Sequence, residues 1–207
     1  MDNNFPAPLQ VVAFLGSAML AGVLVLATIY GFLRQKAWAK KTLLVLAGGA
    51  VIYFGFLSWF SAVSRDVTLA RGSEKYFCEI DCHLAYSIVE VKPVADGPSQ
   101  ELAVTVRTRF DENTISPRRS KEAPLTPNAR EVVLVDTAGR RYLPIATVGT
   151  PLGNELVPGQ AYATTLVFGV TDVSPGTRLL ITSPSGPVAL LIGNEMSLGH
   201  KKTYLAL

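Results

Sequence analysis

LQVVAFLGSAMLAGVLVLATIYGFL (Leu9–Leu33), RQKAWAKK (Arg34–Lys41) and TLLVLAGGAVIYFGFLSWFSAVS (Thr42–Ser64) decide the architecture of the first third of this 207-residue chain. The two apolar runs carry no charge, and each exceeds the roughly 20 residues that a helix needs to cross a bilayer core. Four positive charges, Arg34, Lys36, Lys40 and Lys41, sit between them with no acid. Loops that stay in the cytoplasm keep such charges. The expectation is a transmembrane helical hairpin at residues 1–64 (helices 9–33 and 42–64), with its loop inside and both ends outside. Met1–Pro8 is acidic rather than basic and the first apolar core is long, so the first helix reads as retained rather than as a cleaved signal peptide. Tyr30, Trp38, Trp59 and Phe60 lie near the helix ends, where interfacial aromatics anchor.

Working outward, the charge of the remainder is balanced. Four of the 19 basic residues fall in the loop, and Asp2 is the one acid of 16 before Ser64, leaving 15 of each sign. The net charge of +3 is therefore a topology signal, and it argues against nucleic-acid binding, which needs a basic face. After a polar connector at 65–75 the periodicity turns from helical to alternating. Leu84–Val94, Glu101–Phe110, Glu131–Val135, Arg141–Ile145, Tyr162–Val170, Arg178–Thr182, Pro187–Ile192 and Lys202–Leu207 read as strands separated by turn residues. Seven or eight short strands without a convincing helix predict an all-β sandwich at 76–207, outside the cytoplasm.

The hairpin and turn signals carry a resemblance. Leu134-Val-Asp-Thr-Ala-Gly-Arg-Arg-Tyr142, Leu156-Val-Pro-Gly159 and Thr165-Leu-Val-Phe168 are similar to the immunoglobulin-like extracytoplasmic domains of unknown function found on bacterial lipoproteins and membrane anchors. The resemblance covers about Glu101–Thr182. It implies an immunoglobulin-like sandwich on the periplasmic side of a bacterial inner membrane, and it implies no catalytic residues.

Motifs for catalysis do not stand out. The sequence has no Gly-rich phosphate loop, no His-Glu-x-x-His and no Gly-x-Ser-x-Gly, and its histidines are His83 and His200. The expectation is no enzyme and no resident cofactor. Both cysteines fall in Tyr76-Phe-Cys78-Glu-Ile-Asp-Cys82-His83. In an oxidising compartment they can pair. A straight strand would hold positions four apart at about 13 Å, whereas disulfide Cα atoms lie within about 7 Å, so a Cys78–Cys82 bond requires a turn. The competing reading is a metal site, since thiolates with imidazole suit copper. The Cys-x-x-x-Cys order resembles the dinuclear copper loop of respiratory oxidases, and a set of Cys78, Cys82, His83, Met196 and His200 follows from it. In that family the histidine lies several residues beyond the second cysteine, whereas His83 is adjacent to Cys82.

Two surfaces suggest partners. Small residues recur at helical spacing: Ala13, Ser17, Ala21 and Gly22 in the first helix, Gly48, Gly49 and Gly55 in the second. They permit close helix packing, either within the hairpin or with other transmembrane subunits. Arg118, Arg119 and Lys121 in the Pro-rich loop Asp111–Asn128 are candidates for docking on an acidic partner or lipid headgroups. The leading expectation is a non-catalytic accessory subunit of a larger membrane complex, respiratory or photosynthetic, with the sandwich docked on its extracytoplasmic face. The alternatives are a copper-binding electron-transfer or metal-delivery protein, and a free-standing membrane-anchored binding module.

Overall fold

A computed structural model describes residues 7–34, 36–77, 83–94, 100–115, 119–170, 174–184 and 186–207. The chain forms two compact units, Met1–Arg65 with Ser185–Lys201, and Asp66–Pro184 with Lys202–Leu207.

In the first unit, helices α1 (Ala7–Arg34) and α2 (Lys36–Val63) form an antiparallel hairpin. Both are long and apolar enough to cross a membrane, and their apolar side chains are mostly exposed. The seam is narrow. A Cβ on Gly31 would come within 2.8 Å of the Ala39 amide nitrogen, so the backbones nearly touch at the turn. The Thr28 and Thr42 hydroxyls meet at 2.8 Å one turn further along. Leu57 is buried toward the open end of α2. The segment Gly186–Lys201 belongs to this unit. The strand expected at Pro187–Ile192 is instead a 3-10 turn, Pro187–Leu190. A run of five apolar residues has no periodicity that separates the two.

The second unit is a sandwich of two five-stranded sheets. Its strands are β1 (Val67–Leu69), β2 (Lys75–Phe77), β3 (Leu84–Val94), β4 (Gln100–Phe110), β5 (Glu131–Val135), β6 (Arg141–Tyr142), β7 (Pro144–Gly149), β8 (Ala161–Val170), β9 (Arg178–Thr182) and β10 (Thr203–Ala206). One sheet runs β1-β10-β9-β5-β6 and the other β2-β3-β4-β8-β7. Pairing is antiparallel except for β1 with β10. Alternation on β4 and β8 puts Leu102, Val104, Val106, Leu166, Phe168 and Val170 inward. From the other sheet come Val132, Leu134, Leu179, Ile181 and Leu205, which share one face by register. The first sheet is also buried on its second face, where Val133, Val135, Leu180 and Tyr204 cluster.

Asp136 is buried at the β5–β6 hairpin, and its carboxylate accepts from the Arg140 amide (2.9 Å), the Arg140 Nε (2.6 Å) and the Tyr142 hydroxyl (3.1 Å). Gly139, at φ +79°, supplies the left-handed residue that closes the turn. The single strand expected at Arg141–Ile145 divides: β6 stays with β5, while β7 crosses to the other sheet beside β8.

Candidate functional site

Two clusters of polar side chains lie near residues that the sequence singles out. The first is in the sandwich, where β2 and the end of β4 flank β3. Tyr76, Ala85 and Arg109 stand side by side in register across the three strands. Ala85 offers only a methyl group, so the two long side chains meet over it. The Arg109 guanidinium grips Glu74 with two bonds, Nε to Oε1 at 2.8 Å and a terminal nitrogen to Oε2 at 2.6 Å. It also reaches Asp111 Oδ2 at 3.3 Å. The Tyr76 hydroxyl lies 2.7 Å from Asp111 Oδ2 and 3.1 Å from Glu74 Oε2.

These contacts set the charges. The hydrogen bond from Tyr76, with help from Arg109 and the Asn113 amide, holds Asp111 at a pKa of about 2, against burial. Arg109 draws Glu74 below its ordinary value as well. Burial, then the bonds to the two carboxylates, pushes Tyr76 up to about 12. A carboxyl depressed in the fold contributes stability above its ordinary pKa, and Asp111 loses that contribution as pH falls from about 3.8 to about 2. A phenol raised in the fold contributes below pH 10 and loses its contribution as pH climbs to about 12. Tyr76→Phe removes the donor. Carboxyl NMR titration should then show Asp111 moving up toward the ordinary aspartate range, and the alkaline loss of stability should vanish. An Asp111 titration unchanged by the substitution would mean that Arg109 alone holds it.

His83 sits beside this network, buried and stacked on Phe110 with ring centroids 5.4 Å apart. Its backbone carbonyl accepts from the Asp111 amide at 2.8 Å. Its Nδ1 lies 2.6 Å from the Thr114 hydroxyl, and that hydroxyl donates to the Asp111 carbonyl at 2.8 Å. Thr114 has one proton to give, and it goes to the Asp111 carbonyl, so the His83 Nδ1–H donates to the Thr114 hydroxyl.

The second cluster joins Gly186–Lys201 to the hairpin. The Tyr53 hydroxyl donates to the Leu190 carbonyl at 2.6 Å. Gln10 donates to the Gly193 carbonyl at 3.0 Å and accepts from Asn194 at 2.8 Å. Ser61 donates to the Leu198 carbonyl at 2.7 Å, and the Lys201 amide donates to Ser64 Oγ at 2.9 Å. Glu195, Ser197 and His200 are buried in the segment. Ser197 Oγ donates to the Leu191 carbonyl, and His200 Nδ1–H donates to the Lys201 carbonyl at 2.7 Å.

Of the residues selected by sequence, Cys78 and Cys82 lie outside the described residues, so their pairing is not placed, and no disulfide occurs among the described residues. His83 belongs to the sandwich, while Met196 and His200 belong to the helical unit. Among the described residues no three His, Cys, Asp or Glu side chains group as a metal site. Arg118 is outside the described residues. Arg119 is half-buried with its guanidinium 5.6 Å from the Phe110 ring centre, and Lys121 is exposed. Built Cβ atoms on Gly22, Gly48, Gly49 and Gly55 meet nothing within 4 Å, and Ala13 and Ser17 are exposed; Ala21 is half-buried. Sequence spacing missed Gly31, the glycine at the seam. It also missed the Glu74–Tyr76–Arg109–Asp111 network, for which the available signal was the run of alternating polar positions on β2 and β4.

No protein-family model matches the chain, and the search of curated proteins gives no match. Among solved structures the chain is similar to a secreted protein from Mycobacterium tuberculosis, MPT63, at 16% identity and a TM-score of 0.43, over 69% of this chain and 98% of that one.

Proposed function

We propose that this chain is a non-catalytic accessory subunit of a multi-helix membrane assembly. Its hairpin spans a bacterial inner membrane with the Arg34–Lys41 turn inside, and its immunoglobulin-like sandwich stands on the periplasmic side as the docking module. The four positive charges of the turn support the orientation. The observation that carries the reading is the placement of the glycines. The hairpin uses Gly31 for its own closest approach, whereas Gly16, Gly22, Gly48, Gly49 and Gly55 face open space. In lipid there is little hydrophobic drive between helices, so small residues on an unused face favour close packing by other helices.

The test follows from the same geometry. Gly22→Leu and Gly55→Leu add a side chain where the hairpin has room, so α1 and α2 should stay paired. Purified in mild detergent from a host that makes the protein natively, each variant should lose the helical partners that accompany the unaltered chain. An unaltered chain that migrates alone, with both variants behaving like it, would favour a free-standing membrane-anchored binding module. A copper-binding reading draws on the composition of Tyr76–His83 alone, and stoichiometric copper in the purified protein would be needed to raise it.

A further inference from the structure

We propose that the segment Gly186–Lys201 is a re-entrant membrane element. It dips beside the hairpin into the leaflet at the Ala7 and Val63 ends, and meets phospholipid acyl chains through Leu190, with Leu198 at the membrane interface. The inference rests on the membrane-spanning reading of α1 and α2.

The depth comes from the tethers. A helix rises 1.5 Å per residue, so Tyr53 lies about 15 Å below Val63 and about 9 Å below Trp59, the interfacial anchor, a depth inside a roughly 30 Å hydrocarbon core. Helical side chains tilt toward the N-terminus of their helix, which for α2 carries the Tyr53 hydroxyl further from the Val63 end. That hydroxyl holds the Leu190 carbonyl. The later tethers rise: Leu198 is held by Ser61 and Lys201 by Ser64, at the last turn of α2 and just past it. Gly193 and Asn194 are held by Gln10, in the first turn of α1. The segment therefore goes down and returns, with its lowest tether at Leu190.

Its chemistry fits that depth. Val188–Ile192 carries no charge. Leu190 is 39% and Leu198 72% exposed. Glu195, Ser197 and His200 are buried, so no charged side chain of the segment is exposed before Lys201. Irregular backbone is tolerated in hydrocarbon only where its polar groups are satisfied by protein. Here the Ala189 amide donates to the Gly186 carbonyl (3.0 Å), the Leu191 amide to Val188 (3.1 Å) and the Leu198 amide to Ala189 (2.9 Å). The carbonyls of Leu190, Leu191 and Gly193 accept from Tyr53, Ser197 and Gln10.

Nitroxide labels read depth directly. The full chain, with Cys78→Ser and Cys82→Ser, is placed in phosphatidylcholine liposomes and labelled singly at Leu190→Cys, Leu198→Cys, Lys201→Cys and, in the middle of α2, Phe54→Cys. The expected result is a graded series. The label at 190 should match that at 54, accessible to oxygen and shielded severalfold from a water-soluble nickel chelate relative to 201, with 198 between. If 54 is shielded while 190 and 198 collide with nickel as 201 does, the re-entrant element is overturned and the spanning helices stand. If 54 is itself open to nickel, the membrane reading fails and the inference with it.

Discussion

Replacing Lys75 by methionine should lower the stability of the sandwich by about 2–3 kcal/mol, the range for losing buried hydrogen bonds from a charged donor. Lys75 begins β2 but is only 4% exposed, and it points between the sheets. Its ammonium donates to the carbonyls of Ile181 (2.8 Å) and Thr203 (2.7 Å) on β9 and β10, in the opposite sheet. It also lies 5.1 Å from the centre of the Phe77 ring, which Arg130 covers at 4.3 Å. One side chain thus ties the two layers together across the core. Methionine keeps much of the stem and removes the donor. Urea titration of the detergent-solubilised chain, read by pulse proteolysis of the sandwich, gives the comparison. A midpoint within error of the unaltered protein would mean that the two carbonyls are satisfied without the ammonium.

Leu180→Ala should cost about as much as its neighbour Leu179→Ala, within the roughly 2–5 kcal/mol of a buried leucine truncation. The two residues are adjacent on β9 and so face opposite ways. In a sandwich with one solvated outer face, one of them would be a tolerant surface position. Here both are buried: Leu179 pairs with Leu134 and Leu205, and Leu180 clusters with Val133, Val135 and Tyr204. The same proteolysis assay decides it. A cost confined to Leu179 would show that the second face contributes no core.

That double burial was legible in Val132-Val-Leu-Val135 and Leu179-Leu-Ile181, since unbroken apolar runs mark strands covered on both sides. Strands β3, β5 and β9 follow the sequence reading residue for residue, because strong patterns are bounded there by turn residues. Local pattern failed where the partner was distant. β1 is three residues long and pairs in parallel with a strand at the far end of the chain. Lys75 carries no sign in sequence that it is an interior residue. At Pro187–Ile192 the apolar run is real, but its partners are the helices rather than a sheet. Spacing marked small residues on α1 and α2 without saying which face they occupy, because several faces of a helix satisfy the same intervals. His83 stood out beside the cysteines, yet its orientation depends on Thr114, 31 residues later.

The position of β10 has a consequence for how the protein is made. It follows both β1 and β9 in the chain, yet in its sheet it lies between them. β9 can pair with β5 as soon as it is made, but its other edge, and the edge of β1 that faces it, wait for Thr203–Ala206. From the completion of β9 at Thr182 until Thr203–Ala206 emerges, the sheet is open in its interior, with unpaired backbone on both sides of the gap, the kind of edge that other strands add to. Thr203–Ala206 therefore closes the sheet. A chain truncated before Thr203 would keep its helical hairpin and most of the sandwich core, and would still carry an unfilled slot where a strand belongs.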